Sequence, residues 1–206
     1  MDATMPASAR KIAGKAKTPR RGERVKHILG ESLECFAESG FERVTYDELI
    51  ERSKVSRGSF YWYFPSKEAL YDAVLDYCVN GYVDRLEAQF ARTDPKDNVV
   101  KRLLVTSLAD FNANRAQYRL LSRPAPTAET VKKLVRWNDE TLAFMRAKLE
   151  PAVKAGKLDR ETAGILPDVL SAFIDGICVR LILEDEDSVS TLSKNVERFL
   201  SRVLDI

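Results

Sequence analysis

The densest group of hydrogen-bonding and aromatic side chains lies between Ser56 and Lys67, where the sequence reads Ser-Arg-Gly-Ser-Phe-Tyr-Trp-Tyr-Phe-Pro-Ser-Lys. The guanidinium of Arg57 has the planar fork that matches the hydrogen-bonding edge of guanine. Serine and tyrosine hydroxyls donate hydrogen bonds to phosphate oxygens. Gly58 has no side chain and lets the backbone approach a base edge. Together these residue types favour binding to DNA.

The aromatic residues of this segment divide into two groups. Phe60 and Phe64 are four residues apart, so on a helix they share one face and are expected to anchor it in a core. Tyr61, Trp62 and Tyr63 are consecutive, and three consecutive side chains of one helix cannot all face inward. Some of these rings are therefore expected to be available for phosphate and base contacts.

Local signals place this segment on the second of two short helices. Thr45 and Glu48 fit a capping box, in which each residue satisfies a free backbone N–H of the other, at the start of a helix over 46–52. A turn at 53–55 follows, and Ser56 is expected to cap the next helix. Two short helices joined by a tight turn form a helix-turn-helix motif, whose second helix enters the major groove of DNA.

Apolar residues recur at helical spacing through most of the chain, and no stretch with the two-residue period of a strand exceeds a few residues. The predicted fold class is all-α, with an N-terminal three-helix helix-turn-helix domain and a C-terminal helical domain. Beyond the motif, helices are expected at 22–39, from Ser66 to about 91, from Val99 to about 111, from about Thr127 until Pro151 kinks or ends it, and at 161–183 and 189–204.

Charge is distributed unevenly along the chain. The net charge is +2, but residues 1–27 contain eight Lys or Arg against two acids, which leaves −4 for the remainder. We interpret residues 1–21 as a disordered basic arm that could lie in the minor groove. No apolar run is long enough to span a membrane and no secretory signal is recognisable, so a cytoplasmic protein is expected.

Few residues are suited to catalysis or to metal binding. His27 is the only histidine, the cysteines at 35, 78 and 178 are far apart, and no glycine-rich phosphate loop is present. We therefore expect no catalytic residues, no metal, no cofactor and no enzymatic activity.

The segment from about 24 to 75 resembles the DNA-binding domain of the TetR family of transcriptional regulators. The resemblance rests on Phe36–Phe41, on Thr45, Glu48 and Leu49, and on the continuous stretch 55–70. It implies phosphate contacts by Thr45, Ser56, Tyr61, Tyr63 and Lys67, and base contacts by Arg57, Gly58, Ser59 and Trp62. One departure is Lys54, because the family often has glycine in this turn, where a left-handed backbone would strain any other residue.

The resemblance also implies a homodimer and a body that binds a small-molecule effector. The predicted domains are 22–66 for DNA binding and 67–206 for effector binding and dimerisation. A wide apolar face at 166–181 could be monomer core, but we favour a dimer interface. The predicted interface residues are Phe173, Ile177, Val196, Phe199, Leu200 and Val203, and the candidate pocket aromatics are Phe111, Tyr118, Trp137 and Phe144.

The resulting functional prediction is a sequence-specific repressor that an unknown effector releases from a palindromic operator in double-stranded DNA. An activator and a regulator controlled by a protein partner are alternatives within the same class. A nonspecific architectural DNA-binding protein is a third alternative, which predicts steep salt dependence and little sequence discrimination.

Overall fold

A computed structural model describes residues 19–183 and 186–203. The regular secondary structure of these residues is helical, with no strand among them. The all-α prediction with an N-terminal helix-turn-helix is confirmed. No helix in this part of the chain is long and apolar enough to cross a membrane. The helices are α1 Pro19–Ser39, α2 Tyr46–Ser53, α3 Arg57–Tyr63, α4 Lys67–Val79, α5 Tyr82–Phe90, α6 Val99–Ala113, α7 Arg115–Leu121, α8 Ala128–Lys154, α9 Arg160–Leu183 and α10 Glu186–Val203.

The described residues form two compact units. Unit 1 contains residues 19–82 and 123–130, and unit 2 contains 83–122, 131–183 and 186–203. Unit 1 is therefore built from two separate stretches of the chain, so the predicted division at residue 66 stays a prediction. The predicted basic arm lies mostly outside the described residues, and its last three positions, 19–21, belong to α1.

The core of unit 1 forms where α1 packs against α2 and α4. The ring of Phe36 on α1 makes an edge contact with Tyr71 on α4, with 5.0 Å between ring centroids. Such aromatic pairs stabilise a core beyond the apolar area that they bury. The side chains of Ile28, Leu49 and Leu70 are fully buried beside them. This core fixes the helices on which the candidate DNA contacts lie.

Arg123 closes unit 1 from the second stretch of the chain. Its Nε and Nη2 atoms donate to the carbonyl of Ala37 at 2.9 and 2.7 Å, and Nη2 also donates to the carbonyl of Glu38 at 2.7 Å. The last carbonyls of a helix have no partner within the helix, so this guanidinium satisfies two groups at the end of α1. Gly40, with φ +79°, then turns the chain away.

In unit 2, α9 packs against α6, α7 and α10. A buried polar cluster surrounds the carboxylate of Asp110 on α6. The Tyr118 hydroxyl donates to Asp110 Oδ2 at 3.0 Å, and Arg85 Nε donates to Oδ1 at 3.2 Å. Because a buried carboxylate is tolerated only when it is paired, this cluster fixes α6 relative to α5 and α7 within the unit.

Three helix boundaries differ from the predictions. The predicted helix from Ser66 to about 91 is divided at Asn80, which is extended, and Gly81, which has φ +73°. Pro151 does not end α8, which continues to Lys154. The region after α6 forms a separate short helix, α7, because Asn114 leaves the helical conformation with φ −131° and ψ 37°.

Candidate nucleic-acid interface

The helix-turn-helix begins with the capping box that the sequence predicts. The Thr45 hydroxyl accepts from Glu48 N, and the Glu48 carboxylate accepts from Thr45 N at 2.8 Å and from its hydroxyl at 2.9 Å. These hydrogen bonds to the charged form lower the pKa of Glu48. The Thr45 hydroxyl is thus already used within α2 when a phosphate approaches.

The turn between α2 and α3 contains a left-handed residue. Lys54 has φ 52° and ψ 28°, and it is the one non-glycine residue with positive φ in the described part of the chain. The departure at this position is therefore accommodated by strain at Lys54 and not by another turn geometry. This conformation costs roughly 1–2 kcal/mol relative to glycine.

Helix α3 is anchored by the two phenylalanines expected to be buried. Phe60 and Phe64 are almost fully buried, and the Tyr46 ring lies edge-on against Phe60 at 5.2 Å. The Tyr46 hydroxyl donates to the carbonyl of Phe64. Burial, with the nearby Tyr61 and Glu68, raises the pKa of Tyr46 to about 12. Ser56 caps the helix as predicted, because its hydroxyl accepts from Ser59 N.

The three consecutive aromatic side chains do not behave alike. Tyr61 is 43% exposed and Trp62 is 58% exposed, whereas Tyr63 is only 6% exposed. Tyr63 follows Phe60 by three residues and therefore shares its inward face, a periodicity that the sequence already contained. A phosphate contact by Tyr63 stays a prediction, and little of its surface is available for one.

Arg57 is the first residue of α3, and its guanidinium is oriented by an ion pair. Its Nη2 atom lies 2.8 Å from Oδ1 of Asp47 on α2, and both side chains are more than 60% exposed. The hydrogen bond to Asp47 and the charge of Asp47 raise the pKa of Arg57, and the nearby Tyr61 phenol raises it further. Sequence reasoning singled out Arg57 but missed Asp47.

Lys67 lies at the start of α4, as expected, but its ammonium group is used inside unit 1. Nζ donates to the carbonyl of Phe41 at 2.9 Å and to that of Val44 at 3.1 Å, and it lies 4.4 Å from the Phe41 ring centroid. An ammonium group has three N–H donors, so one remains for a phosphate. Lys67 therefore holds the connection between α1 and α2 in place.

Arg21 is a further basic residue at this face. Its guanidinium lies 4.0 Å from the ring centroid of Trp62 and 5.9 Å from that of Tyr63. Its buried Nε atom has no hydrogen-bond partner within the described residues. Composition indicated only that the N-terminal region is basic, because no local pattern pairs residue 21 with residue 62.

The four candidate pocket aromatics all lie in unit 2, in different surroundings. Phe111 and Tyr118 are buried and in edge contact at 5.3 Å, whereas Phe144 contacts Phe90 at 6.3 Å. Trp137 is half-buried on α8. Their role in binding an effector stays a prediction.

The predicted dimer residues are also divided. Phe173 is 39% exposed on α9, Val196 is half-buried and Ile177 is buried. The side chains of Phe199, Leu200 and Val203 lie outside what the structure describes. Ile165 and Val169 precede Phe173 by eight and four residues and are exposed, so they form one apolar stripe with it.

Comparisons with known proteins identify the class of this helix-turn-helix. Residues 28–74 match the family model described as bacterial regulatory proteins, tetR family. Residues 28–74 therefore form a helix-turn-helix DNA-binding domain of the TetR type.

Curated relatives match stretches of 55 to 63 residues. The uncharacterized HTH-type transcriptional regulator YuxN of Bacillus subtilis is 42% identical over 55 residues, which are 27% of this chain and 19% of that protein. The HTH-type transcriptional regulator RutR of Escherichia coli is 38% identical over 63 residues, 31% of this chain and 30% of RutR. The A-factor receptor protein of Streptomyces griseus is 34% identical over 61 residues, 30% of this chain and 22% of the receptor. The chain thus spans less than a third of each relative's length.

Solved structures extend the likeness of fold to nearly the whole chain. The fatty acid degradation regulator FadR from Bacillus halodurans has a TM-score of 0.69 at 17% identity, covering 90% of this chain and 96% of FadR. The regulatory protein TetR from Rhodobacter sphaeroides has a TM-score of 0.65 at 20% identity, covering 84% of this chain and 96% of that one.

Proposed function

We propose that this protein is a sequence-specific transcriptional regulator of the TetR type, acting as a repressor that a small-molecule effector releases from its operator. The observation that carries the proposal is α3, which exposes Arg57, Tyr61 and Trp62 while Phe60 and Phe64 fix it to the core. An exposed helix on a rigid base can present side chains to base edges in the major groove. The same site offers no constellation for catalysis, so we propose a regulator and not an enzyme.

The proposed DNA contacts follow from this arrangement. Arg57, Ser59 and Trp62 would read base edges, Gly58 would let the backbone approach, and the Ser56 hydroxyl and Tyr61 phenol would meet phosphates. The side chains of Thr45, Tyr63 and Lys67 are hydrogen-bonded within unit 1 or buried there. These three residues would therefore support the register of α3 on the DNA.

The proposed assembly is a homodimer on a palindromic operator. The stripe formed by Ile165, Val169 and Phe173 exposes apolar side chains that a second copy would remove from water. A two-fold dimer places two copies of α3 in successive major grooves, and a palindrome repeats that symmetry in DNA.

The proposed effector site lies in the C-terminal part of the chain, 67–206, where unit 2 contains the candidate aromatic residues Phe111, Tyr118, Trp137 and Phe144. The solved FadR of Bacillus subtilis, which shares the fold at a TM-score of 0.68, is in complex with stearoyl-CoA. An effector that binds one conformation more tightly would shift the population away from the DNA-competent state. We propose that the protein is cytoplasmic, because both the effector and DNA are accessible in the cytoplasm.

Selection of bound sequences from a random duplex library at near-physiological salt tests the proposed function. Wild-type protein should enrich a palindrome. The variant Arg57→Ala should relax the preference at one base position per half-site by roughly 5- to 150-fold, the range for one bidentate contact with a base. The exposed Arg92, on the other unit, supplies the matched control Arg92→Ala, which should leave the selected sequence unchanged. Binding without any enrichment, which disappears as salt rises, would instead favour a nonspecific DNA-binding protein.

A further inference from the structure

We propose that Asp47 is a positioning residue for base recognition, whose carboxylate orients the guanidinium of Arg57 toward the DNA. The inference rests on the proposed function, because it concerns how α3 reads a base. It assigns a role in specificity to a residue of α2, the helix that does not enter the groove.

The geometry joins the starts of two helices. Asp47 is the second residue of α2, Arg57 is the first residue of α3, and Nη2 of Arg57 lies 2.8 Å from Oδ1 of Asp47. This distance is that of a charge-assisted hydrogen bond. The Tyr61 phenol lies near Arg57, and the Tyr61 ring packs against Tyr46 with 5.0 Å between ring centroids. The carboxylate of Asp47 therefore restricts one long side chain.

Stability does not account for this pair. Both side chains are more than 60% exposed, and ion pairs in that setting contribute little to the free energy of folding. A carboxylate at a DNA-binding face also repels phosphates, so it lowers affinity for DNA in general. Asp47 in the first turn of α2 interacts favourably with the helix dipole. That interaction does not require the pair with Arg57, so the pair is best explained by its effect on the conformation of Arg57.

The chemistry of the guanidinium permits the two roles together. Arginine has five N–H donors in a rigid fork, and the bond to Asp47 uses one side of it. The remaining donors can meet the O6 and N7 acceptors of guanine. A free arginine side chain loses considerable rotamer entropy on binding. Prior orientation by Asp47 reduces this loss for the complex of Arg57 with guanine, and so favours guanine over the other bases.

The test compares Asp47→Asn with Glu51→Gln by titrating the selected operator, the same duplex altered at the base pair read by Arg57, and an unrelated duplex. Glu51 is an exposed acid on the same helix, so both variants gain the same charge. Asp47→Asn should reduce the preference for the operator over the altered duplex by about fivefold or more, the lower range for one base contact. Its binding to the unrelated duplex should be equal or stronger, which also reports that the variant is folded.

Glu51→Gln should leave the preference unchanged. Asp47→Ser, which keeps a hydrogen-bonding group in the first turn of α2, should give the same loss as Asp47→Asn. In an Arg57→Ala background, Asp47→Asn should have no further effect on the preference, because Asp47 acts through Arg57.

Equal preferences for Asp47→Asn, Glu51→Gln and wild type would overturn the inference while leaving the proposed function intact. A further loss of preference in the Arg57→Ala background would also overturn it. If wild type selected no sequence at all, the proposed function itself would fail, before any variant was compared.

Discussion

The guanidinium of Arg21 lies 4.0 Å from the ring centroid of Trp62, and this contact joins the first turn of α1 to the exposed side of α3. The indole is 58% exposed, so without this cation it would be held mainly by its edge contact with Tyr63 at 4.8 Å. A cation over an indole contributes about 0.5–1 kcal/mol at an exposed site. Arg21 thus orders a proposed base-contacting ring before DNA arrives.

We expect Arg21→Leu to weaken operator binding more than Arg24→Leu does. Arg24 is an exposed arginine of the same helix, so the two variants lose the same charge. If the two arginines face phosphates, both variants should make operator binding less dependent on salt. Only Arg21→Leu also removes the cation that lies over the Trp62 ring. Titration of operator DNA at several salt concentrations measures both effects. Equal losses for the two variants would mean that charge alone matters.

Lys67→Met should lower the thermal stability of the protein. The variant keeps the apolar stem but removes the ammonium group that bonds the carbonyls of Phe41 and Val44. Hydrogen bonds to a charged group each contribute about 1.5–3 kcal/mol, and two part-buried acceptors would lose this donor. Lys26→Met, at an exposed position of α1, is the control. A melting temperature equal to that of wild type would contradict the role of Lys67 as a clamp.

The same variant tests the phosphate contact predicted for Lys67. Loss of one phosphate contact should reduce the slope of log K against log salt by about 0.9. If the melting temperature falls and the slope stays constant, Lys67 supports the fold and does not contact DNA. A change in sequence preference would contradict both roles.

Alkaline pH should destabilise unit 1 through Tyr46. Its pKa is raised from 10.0 to about 12 in the folded state, so the contribution of the neutral phenol is complete below about pH 10 and is lost as pH rises to about 12. Tyr46→Phe should therefore reduce the loss in free energy of unfolding between pH 8 and pH 10.5, measured by urea denaturation. At pH 8 the variant should be about 1 kcal/mol less stable, because the hydrogen bond to Phe64 is gone. Tyr77→Phe controls for removal of a phenol, and an equal effect of both variants would contradict the prediction.

A charged residue in the apolar stripe of α9 should impair dimerisation. Phe173→Glu places a carboxylate where the proposed interface would exclude water, and burial of an unpaired charge is costly. Light scattering over a dilution series should show monomer at concentrations where wild type is dimeric. Ala147→Glu, at an exposed position of α8, should leave the dimer intact. A dimeric Phe173→Glu protein would place the interface elsewhere.

Local features of the DNA-binding unit could be predicted from sequence because they depend on neighbouring residues. Caps at Thr45, Ser56 and Ser66 each involve a backbone N–H three residues away, and the structure contains all three. The burial of Phe60 and Phe64 follows from helical spacing in the same way. The break at Gly81 was missed because apolar residues continue on both sides of it.

Long-range contacts could not be predicted in this way. Arg123 bonds to a carbonyl 86 residues earlier in the sequence, and no periodicity or cap signal connects the two positions. Asp47 and Arg57 meet only because the left-handed Lys54 brings the starts of two helices together. The residues that orient the candidate site therefore emerged from the tertiary structure, whereas the proposed DNA-contacting residues were visible in the sequence.

The guanidinium that completes the end of α1 belongs to a residue that leaves the ribosome well after Tyr82. During synthesis, α1 to α4 are translated first, but the carbonyls of Ala37 and Glu38 have no bond to Arg123 until residues 83–122 of the other unit have also been translated. A nascent chain released before that point would contain all of α3, but the last carbonyls of α1 would lack the hydrogen bonds from Arg123. The position of one arginine thus makes the completion of the DNA-binding end depend on the translation of residues 83–122.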